Sequence, residues 1–343
     1  MWTSILLAVG VALVIVLGLA VVHVRSLFRG PDYARLPACY PFKSEAARAR
    51  FHAYCDARAR DYPPGAEERI LTTAYGPTFV RTCGPADAPP LVLLPSASAS
   101  SLIWVANVAE LARHFRVHAV DNIYDVGRSV NTRPVTGAEE LTEWLHELLG
   151  QLEPDRRVHL MGLSFGGWLT AEYARRHPER LAKVVLAAPA ATFLPLPAAW
   201  AWRAILGVLP PRRFFMTRLL VRWMCKGLVK RNDERSRRLL RGWVDDALIA
   251  MSCFRFRMPV APTVLSDEEL RSLKPPVLFV VGEHEVVYPA EKAVARARAL
   301  IPSVVTSVIA DASHDLTISQ TARFNDEVVS FLLGPSEEEA ARA

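Results

Sequence analysis

Short apolar runs alternate with amphipathic segments along most of this chain. The runs 91–95 and 277–282 contain no charged or hydroxyl residue, which is typical of strands buried on both faces of a sheet. Strands that alternate with helices predict an α/β fold with a mostly parallel sheet and helices on both faces. Further strands are predicted at 70–73, 78–82, 115–121, 158–162, 184–189 and 303–310, and helices at 43–60, 104–114, 138–152, after residue 164, at 290–300 and at 321–333.

One region breaks this alternation. Between about residues 192 and 270 the sequence is helix-like, is rich in Arg and Trp, and contains no convincing strand. We interpret it as an inserted helical cap. Residues 203–257 carry 14 Lys and Arg against 4 Asp and Glu, whereas the whole chain has a net charge of +6. The positive charge therefore belongs to the cap, and the rest of the chain is net negative.

The N-terminal region contains the longest uncharged apolar stretch, residues 3–24. As a helix it would be roughly 33 Å long, enough to cross a hydrocarbon core of about 30 Å. A signal peptide would have a basic start and a shorter apolar run, and a core helix would have a polar stripe. The sequence therefore predicts a membrane anchor at 1–24 and a juxtamembrane linker at 25–42. Because arginines follow the span, and because the five scattered cysteines are expected to be reduced, the remaining chain is predicted to be cytoplasmic.

The stretch Gly-Leu-Ser-Phe-Gly-Gly at 162–167 carries the first candidate chemistry. It lies between a predicted buried strand and a predicted helix, so Ser164 would stand on the sharp turn of a nucleophile elbow. The N-terminus of the following helix favours negative charge that develops at such a site. A capping serine at an ordinary strand–helix turn is the alternative. A nucleophilic serine also requires a general base and a carboxylate that orients the base.

The candidate base and acid follow two late strands. His314 is the candidate base, because it lies in a loop directly after the strand at 303–310. In nucleophile-elbow hydrolases the acid precedes the histidine in the chain, so we expect it in the loop after the strand at 277–282. That loop contains Glu283, His284 and Glu285. We favour Glu285 as the acid and keep Glu283 as the alternative, while His284 is a less suitable base because it stands where the acid is expected.

These motifs together resemble those of the α/β-hydrolase superfamily. The run Asp-x-x-x-Asp-x-Gly-x-Ser at 121–129 and the segments HPERL, GEHE and DASH make the chain similar to bacterial serine hydrolases of the alpha/beta hydrolase fold-1 type. The resemblance covers roughly residues 43–333 and leaves 334–343 as a tail that is expected to be disordered. It implies an α/β-hydrolase fold and cleavage of carboxylic esters without metal or organic cofactor. It also implies Ser164 as nucleophile, His314 as base and Glu285 as acid. A thioesterase or a cofactor-free perhydrolase would use the same triad.

The loop after the third predicted strand departs from the family pattern. The family commonly has His-Gly there, whereas this chain has Pro95 and Ser96. The resemblance implies that the backbone N–H groups of Ala97 and Phe165 form the oxyanion hole. Backbone donors survive side-chain changes, so the hole can still form, but the missing glycine can alter the loop that carries one of the donors.

The cap is expected to cover the substrate pocket, and the chain to contact the membrane. The anchor and the basic cap predict a lipophilic ester as substrate and an anionic membrane face as partner. A basic solvated surface without lipid contact is the alternative. No recognition motif for nucleic acid accompanies the charge, so nucleic-acid binding is not predicted. A catalytically inactive, membrane-tethered binding or scaffold protein is the competing class, and the complete triad argues against it. Apolar cap residues that could line the pocket, or that simply pack cap helices together, are Leu194, Leu196, Trp200, Trp202, Phe214, Phe215, Trp223 and Met224.

Overall fold

The computed structural model describes residues 31–207, 212–255, 260–302 and 304–335, and these contain a mixed sheet of eight strands. The strands are β1 Glu67–Thr73, β2 Gly76–Cys83, β3 Pro90–Leu94, β4 Arg116–Val120, β5 Val158–Leu163, β6 Leu181–Ala187, β7 Val277–Gly282 and β8 Val304–Ile309. Their order in the sheet is β1-β2-β4-β3-β5-β6-β7-β8. β2 pairs antiparallel with β1 and with β4, and the other neighbouring strands pair parallel.

The central strands are buried along their whole length because both faces of the sheet are covered. Every residue of β3, β5 and β7 is buried. Successive side chains of a strand point to opposite faces. In β3, Val92 and Leu94 accordingly join one apolar cluster, and Leu91 and Leu93 join the other. The predicted mostly parallel, doubly covered sheet is therefore confirmed.

Helices cover each of the two faces of the sheet. The helices outside the cap are α1 Glu45–Ala59, α2 Val108–Leu111, α3 Ala138–Leu152, α4 Phe165–Arg176, α10 Asp267–Arg271, α11 Ala290–Leu300, α12 Leu316–Ser319 and α13 Thr321–Leu333. Of these, α3, α4 and α11 contribute to the first cluster, and α1, α2 and α13 contribute to the second. In α3 the buried residues Leu141, Leu145, Leu148 and Leu152 recur at helical spacing, which keeps them on one face.

Between β6 and β7 the described residues contain helices and no strand. Five of these helices are α5 Ala198–Gly207, α6 Arg212–Phe215, α7 Arg222–Met224, α8 Lys226–Arg231 and α9 Glu234–Cys253, with a π-helical segment at Met216–Val221. We call α5 to α9 the cap helices. Met216 and Val221 of the π-helical segment, Leu228 of α8 and Val244 of α9 form a small apolar cluster, which Ile318 of α12 joins.

The membrane localisation predicted from the sequence is contradicted. Among the described residues, no helix has both the length and the apolar character that crossing a membrane requires. The predicted anchor at 1–24 lies outside the described residues, as does most of the predicted tail at 334–343. The described part of the predicted linker at 25–42 packs on the domain, because Phe42 is buried against Phe51 and Phe254. The prediction of a membrane-anchored protein with a cytoplasmic catalytic domain is therefore withdrawn.

Replacing Gly162 by Ala is expected to destabilise the fold severely. Gly162 lies in β5, and a Cβ there would come within 2.0 Å of the carbonyl oxygen of Gly166. Such an overlap with backbone cannot be relieved by a side-chain rotation, so we expect a loss of about 4 kcal/mol or more in the free energy of unfolding. Gly150 of α3 is the matched control. A Cβ on Gly150 would have no other atom within 4 Å, so Gly150→Ala should stabilise by about 0.5–1 kcal/mol. Urea unfolding measures the free energy of unfolding of both variants. Equal values for Gly162→Ala and Gly150→Ala would contradict the close approach of Gly162 to Gly166.

Candidate active site

Ser164 stands on the sharp turn between β5 and α4. Its backbone has φ 55° and ψ −113°, a strained conformation of the kind that is retained at functional sites. The Ser164 N–H donates to the carbonyl oxygen of Ala187 in β6 at 2.9 Å, and the Ser164 carbonyl accepts the N–H of Trp168 at 3.0 Å. The turn is therefore held from the sheet and from the helix, while the half-buried side chain makes no capping hydrogen bond.

Gly166 brings this turn against the loop that follows β3. A Cβ on Gly166 would lie 2.5 Å from the carbonyl oxygen of Leu94 and 2.6 Å from that of Pro95. Phe165 is the first residue of α4, so its N–H has no acceptor within the helix. Ala97 lies two residues beyond Pro95 and packs against the apolar cluster that includes Phe165. The two predicted oxyanion donors thus lie on the two backbone segments that this contact brings together.

His314 and Glu285 form a buried pair at the carboxyl edge of the sheet. Glu285 follows β7 and His314 follows β8, and these two strands are parallel neighbours. Nδ1 of His314 lies 3.1 Å from Oε1 and 3.0 Å from Oε2 of Glu285. The side chains are 2% and 0% exposed. Oε1 of Glu285 also accepts the N–H groups of Val286 and Val287 at 2.8 and 2.9 Å. These two backbone hydrogen bonds therefore hold the Glu285 carboxylate in place independently of His314.

The second ring nitrogen of His314 is available for chemistry. Nε2 is buried and has no hydrogen-bond partner among the described residues. In a Ser-His-acid site this atom takes the proton from the serine hydroxyl. Ser164 lies at the same edge, since β5, β6, β7 and β8 are successive parallel strands. No hydrogen bond joins Ser164 to His314 in the described structure, and such bonds often tighten only when substrate is bound.

The alternative acid and the rival histidine make different contacts. Glu283 is exposed, and its Oε2 accepts the N–H of Asp311 at 3.1 Å. His284 is also exposed, and its Nε2 lies 3.8 Å from Glu283. Of the two glutamates in this loop, Glu285 is the one that forms hydrogen bonds with His314.

Asp315 ties the histidine loop to the cap helices. Its Oδ1 accepts the N–H of Ser313 at 3.0 Å and the hydroxyl of Ser319 at 3.1 Å. Its Oδ2 accepts the N–H of Leu228 in α8 at 2.9 Å. Burial raises the pKa of Asp315 above the usual value. This brace was not predicted from the sequence, where only the position next to His314 could have indicated it.

Activity that depends on neutral His314 is expected to fall as the pH drops. Burial by itself lowers the pKa of His314, but the charge and hydrogen bond of Glu285 and the charge of Asp315 act in the opposite direction, and the pKa lies above the usual 6.5. A base must be unprotonated to act. We therefore expect kcat/KM to be high above the raised pKa of His314 and to fall as the pH drops through that pKa, which lies above 6.5. A pH profile from 5 to 9 measures this, and a midpoint below 6 would contradict the expected influence of Glu285.

One group of possible metal ligands lies away from this edge. His146 of α3, His177 at the end of α4 and Glu179 have candidate ligand atoms within 4.8 Å of one another. The two imidazole rings are stacked, with centroids 4.3 Å apart and planes at 27°. The nitrogen lone pairs of the two imidazoles lie in the ring planes, and because the rings are stacked these lone pairs do not point toward one shared ion. We therefore assign no metal site to this group.

A cavity of about 460 Å³ opens beside Glu285. It is lined by Lys226, Val229 and Lys230 of α8 and by His284 and Glu285 of the loop after β7. The cavity therefore lies between the cap helices and the edge that carries the His314–Glu285 pair. None of the eight apolar cap residues predicted to line a pocket borders it. Their part in a substrate pocket stays a prediction.

Comparison with known proteins agrees with this arrangement. The model of the Alpha/beta hydrolase family matches residues 91–327. Carboxylesterase YbfK of Bacillus subtilis (strain 168) is 29% identical over 299 residues, which cover 85% of this chain and 97% of that protein. The uncharacterized carboxylesterase nap of the same strain is 32% identical over 275 residues, which cover 79% of this chain and 88% of that protein.

Solved structures show the same fold. The crystal structure of naproxen esterase (carboxylesterase NP) from Bacillus subtilis has a TM-score of 0.76 and 30% identity, and the match covers 84% of this chain and 99% of that chain. The crystal structure of carboxylesterase CesB (YbfK) has a TM-score of 0.73 and 28% identity, with 85% and 100% covered. The fold and the family predicted from the motifs are therefore confirmed, and the chain belongs to the alpha/beta hydrolase family.

Proposed function

We propose that this protein is a serine carboxylesterase in which Ser164 is the nucleophile, His314 the general base and Glu285 the orienting acid. The observation that carries the proposal is the buried His314–Glu285 pair, whose free Nε2 lies at the sheet edge where the strained Ser164 turn ends β5. A buried, unpaired ring nitrogen costs stability, so its retention favours a catalytic role. The carboxylesterase names of the relatives that span most of the chain support ester bonds as the target.

The reaction follows from the arrangement of these groups. Oγ of Ser164 attacks the ester carbonyl carbon while Nε2 of His314 takes the hydroxyl proton. The carbonyl oxygen becomes an oxyanion, which the N–H groups of Ala97 and Phe165 would stabilise. The bond to the alcohol then breaks, and His314 returns the proton to the leaving alcohol, which gives an acyl-Ser164 intermediate. Water attacks this intermediate with His314 again as base, and the carboxylic acid leaves as Ser164 regains its proton.

The acyl group that fits the site is a separate question from the chemistry. A small-molecule ester is supported by the relatives, and a lipophilic acyl chain is the finer proposal. The exposed apolar side chains of the cap helices, Trp202 and Phe214, are consistent with contact to an apolar substrate. The alternative of an inactive scaffold protein is disfavoured because all three triad positions are occupied by competent residues.

The test is labelling of the purified protein with a fluorophosphonate probe, followed by hydrolysis of p-nitrophenyl esters from acetate to laurate. We expect covalent labelling at Ser164, with Ser164→Ala as the unlabelled control. We expect kcat/KM to rise with chain length up to the limit of the pocket. Failure of a folded protein to label, together with no ester hydrolysis, would remove the carboxylesterase proposal. A flat chain-length profile would remove only the lipophilic preference.

A further inference from the structure

The motif at 121–129 contacts the loop that carries the first predicted oxyanion donor. Oδ2 of Asp125 accepts the N–H of Ser98 at 2.8 Å, and Oδ1 of Asp121 accepts the N–H of Ser101 at 2.6 Å. The loop after β3 is thus held at two points by carboxylates of one neighbouring segment. The triad chemistry does not use this motif, so its contacts require a separate explanation.

Asp125 is a buried carboxylate without a basic partner. Its Oδ1 accepts the N–H of Val126 at 2.7 Å, and its Oδ2 accepts the N–H of Ser98. Among the described residues it forms no ion pair with Lys, Arg or His. The titratable groups that interact with it are Asp121, whose like charge also disfavours ionisation, and the neighbouring phenol of Tyr124. Burial, the largest influence, raises the pKa of Asp125 to about 7.

The raised pKa means that Asp125 does not serve stability at alkaline pH. Between the ordinary pKa of an aspartate and about 7, the folded protein binds more protons at this site than the unfolded chain does. Stability therefore falls as pH rises through that interval and stays lower above it. A residue that costs stability when charged, and that is nevertheless present, indicates a functional demand.

The backbone that Asp125 holds has an unusual conformation. Ser98 has a φ of 61°, in the left-handed region that residues other than glycine rarely adopt. The Ser98 N–H lies in the peptide plane that joins Ala97 to Ser98, so an acceptor fixed on this N–H restricts the orientation of Ala97. The ring of Tyr124 meets the ring of Phe165 edge-on, with centroids 6.0 Å apart. Asp125 therefore contacts the backbone beside Ala97, and Tyr124 contacts the side chain of Phe165.

We infer that Asp125 is the positioning residue of the oxyanion hole, and that its carboxylate sets the conformation of the Ser96–Ser98 loop. This inference rests on the proposed function. Asp125 does not touch the substrate. It acts through the Ser98 N–H on the Ala97 N–H, which would meet the developing negative charge of the substrate.

Protonation of Asp125 should loosen the loop, and asparagine reproduces that state. A carboxylate can accept hydrogen bonds from both N–H groups with its two oxygens. A protonated carboxyl or an asparagine amide keeps one good acceptor and turns a donor toward the other N–H. Asp125→Asn therefore mimics the protein in which Asp125 is protonated, because asparagine is neutral and nearly isosteric with aspartic acid. Because burial already favours the neutral form, we expect this variant to fold and to be at least as stable as the parent at pH 8.

The experiment compares Asp125→Asn with the parent and with Asp155→Asn, an exposed control. We expect kcat toward p-nitrophenyl butyrate at pH 8 to fall about 10- to 100-fold in Asp125→Asn, since loss of one oxyanion donor costs about 10²–10³. KM should change less than about threefold, because the hole stabilises the transition state more than the ground state. Asp155→Asn should match the parent in both constants. Thermal unfolding at pH 8 verifies that the variants are folded.

A second readout separates positioning from a structural defect. In the parent, protonation of His314 and protonation of Asp125 should each lower kcat. In a plot of log kcat against pH, the acid limb near pH 7 should therefore have a slope greater than one. In Asp125→Asn only His314 titrates, and the limb should have a slope of one. A kcat within twofold of the parent at pH 8, or an acid limb of unchanged slope, would overturn the inference. A folded parent protein that neither labels at Ser164 nor hydrolyses esters would instead overturn the proposed function.

Discussion

Ser164→Ala is expected to reduce ester hydrolysis by roughly 10⁴- to 10⁶-fold, the loss found when a triad nucleophile is removed. The Ser164 hydroxyl makes no capping hydrogen bond, and the backbone bonds to Ala187 and Trp168 do not involve the side chain. Alanine has the same Cβ as serine at the strained φ of 55°. The fold should therefore be retained, and the lost activity would belong to the chemical step.

The measurement is kcat/KM on p-nitrophenyl butyrate, together with urea unfolding of each variant. Ser272→Ala is a suitable control, because Ser272 is an exposed residue at the end of α10. His314→Ala should lose about as much activity as Ser164→Ala, and the double variant little more, because the two residues act as a unit. Activity of Ser164→Ala within tenfold of the parent would show that another group carries the hydrolysis.

Glu285→Gln is expected to lower kcat by roughly 10³- to 10⁴-fold, whereas Glu283→Gln should remain within about twofold of the parent. The N–H groups of Val286 and Val287 both donate to Oε1 of Glu285, so the carbonyl oxygen of a glutamine should occupy that position. The glutamine NH₂ group would then face Nδ1 of His314. Nδ1 would have to accept, the ring proton would move to Nε2, and the base would be lost, as occurs when a triad aspartate becomes asparagine.

The two glutamates form a matched pair, two residues apart in one loop. Glu283 accepts a backbone N–H at an exposed position and does not touch the histidine. Glu283→Gln should therefore change neither the tautomer of His314 nor the acid limb of the pH profile. In Glu285→Gln, the residual activity should have an acid limb at lower pH, because the negative charge that raises the pKa of His314 is gone. Equal losses from both variants would refute the assignment of the acid.

Most elements of the fold were predictable from local pattern. Every predicted strand overlaps an observed strand, because unbroken apolar runs such as 277–282 have few alternatives in a covered parallel sheet. The elbow was predictable because its glycines are required by backbone overlap. A Cβ on Gly162 or Gly166 would meet backbone atoms within 2.6 Å. The Gly162 contact is with Gly166, four residues away in the same turn, whereas the Gly166 contact is with Leu94 and Pro95 of the loop after β3.

The predicted localisation was wrong. It relied on the hydropathy of residues 3–24, on the arginines that follow them and on the expected reduced state of the cysteines. Hydropathy reports the affinity of a segment for an apolar environment, and it does not report which apolar environment the segment meets. Among the residues described in the structure, no helix meets the requirement for crossing a membrane.

The sequence by itself determined the strand and helix pattern, the family, the sharp turn at Ser164 and the short set of candidate bases and acids, because each depends on residue types within a few positions of one another. Only the tertiary structure decided which glutamate meets His314 and which backbone the carboxylates of Asp121 and Asp125 hold. The Glu285–His314 and Asp125–Ser98 pairs are 29 and 27 residues apart. Hydrogen bonds form or fail over tenths of an ångström, and such distances between separate strands and loops follow from the packing of the whole sheet.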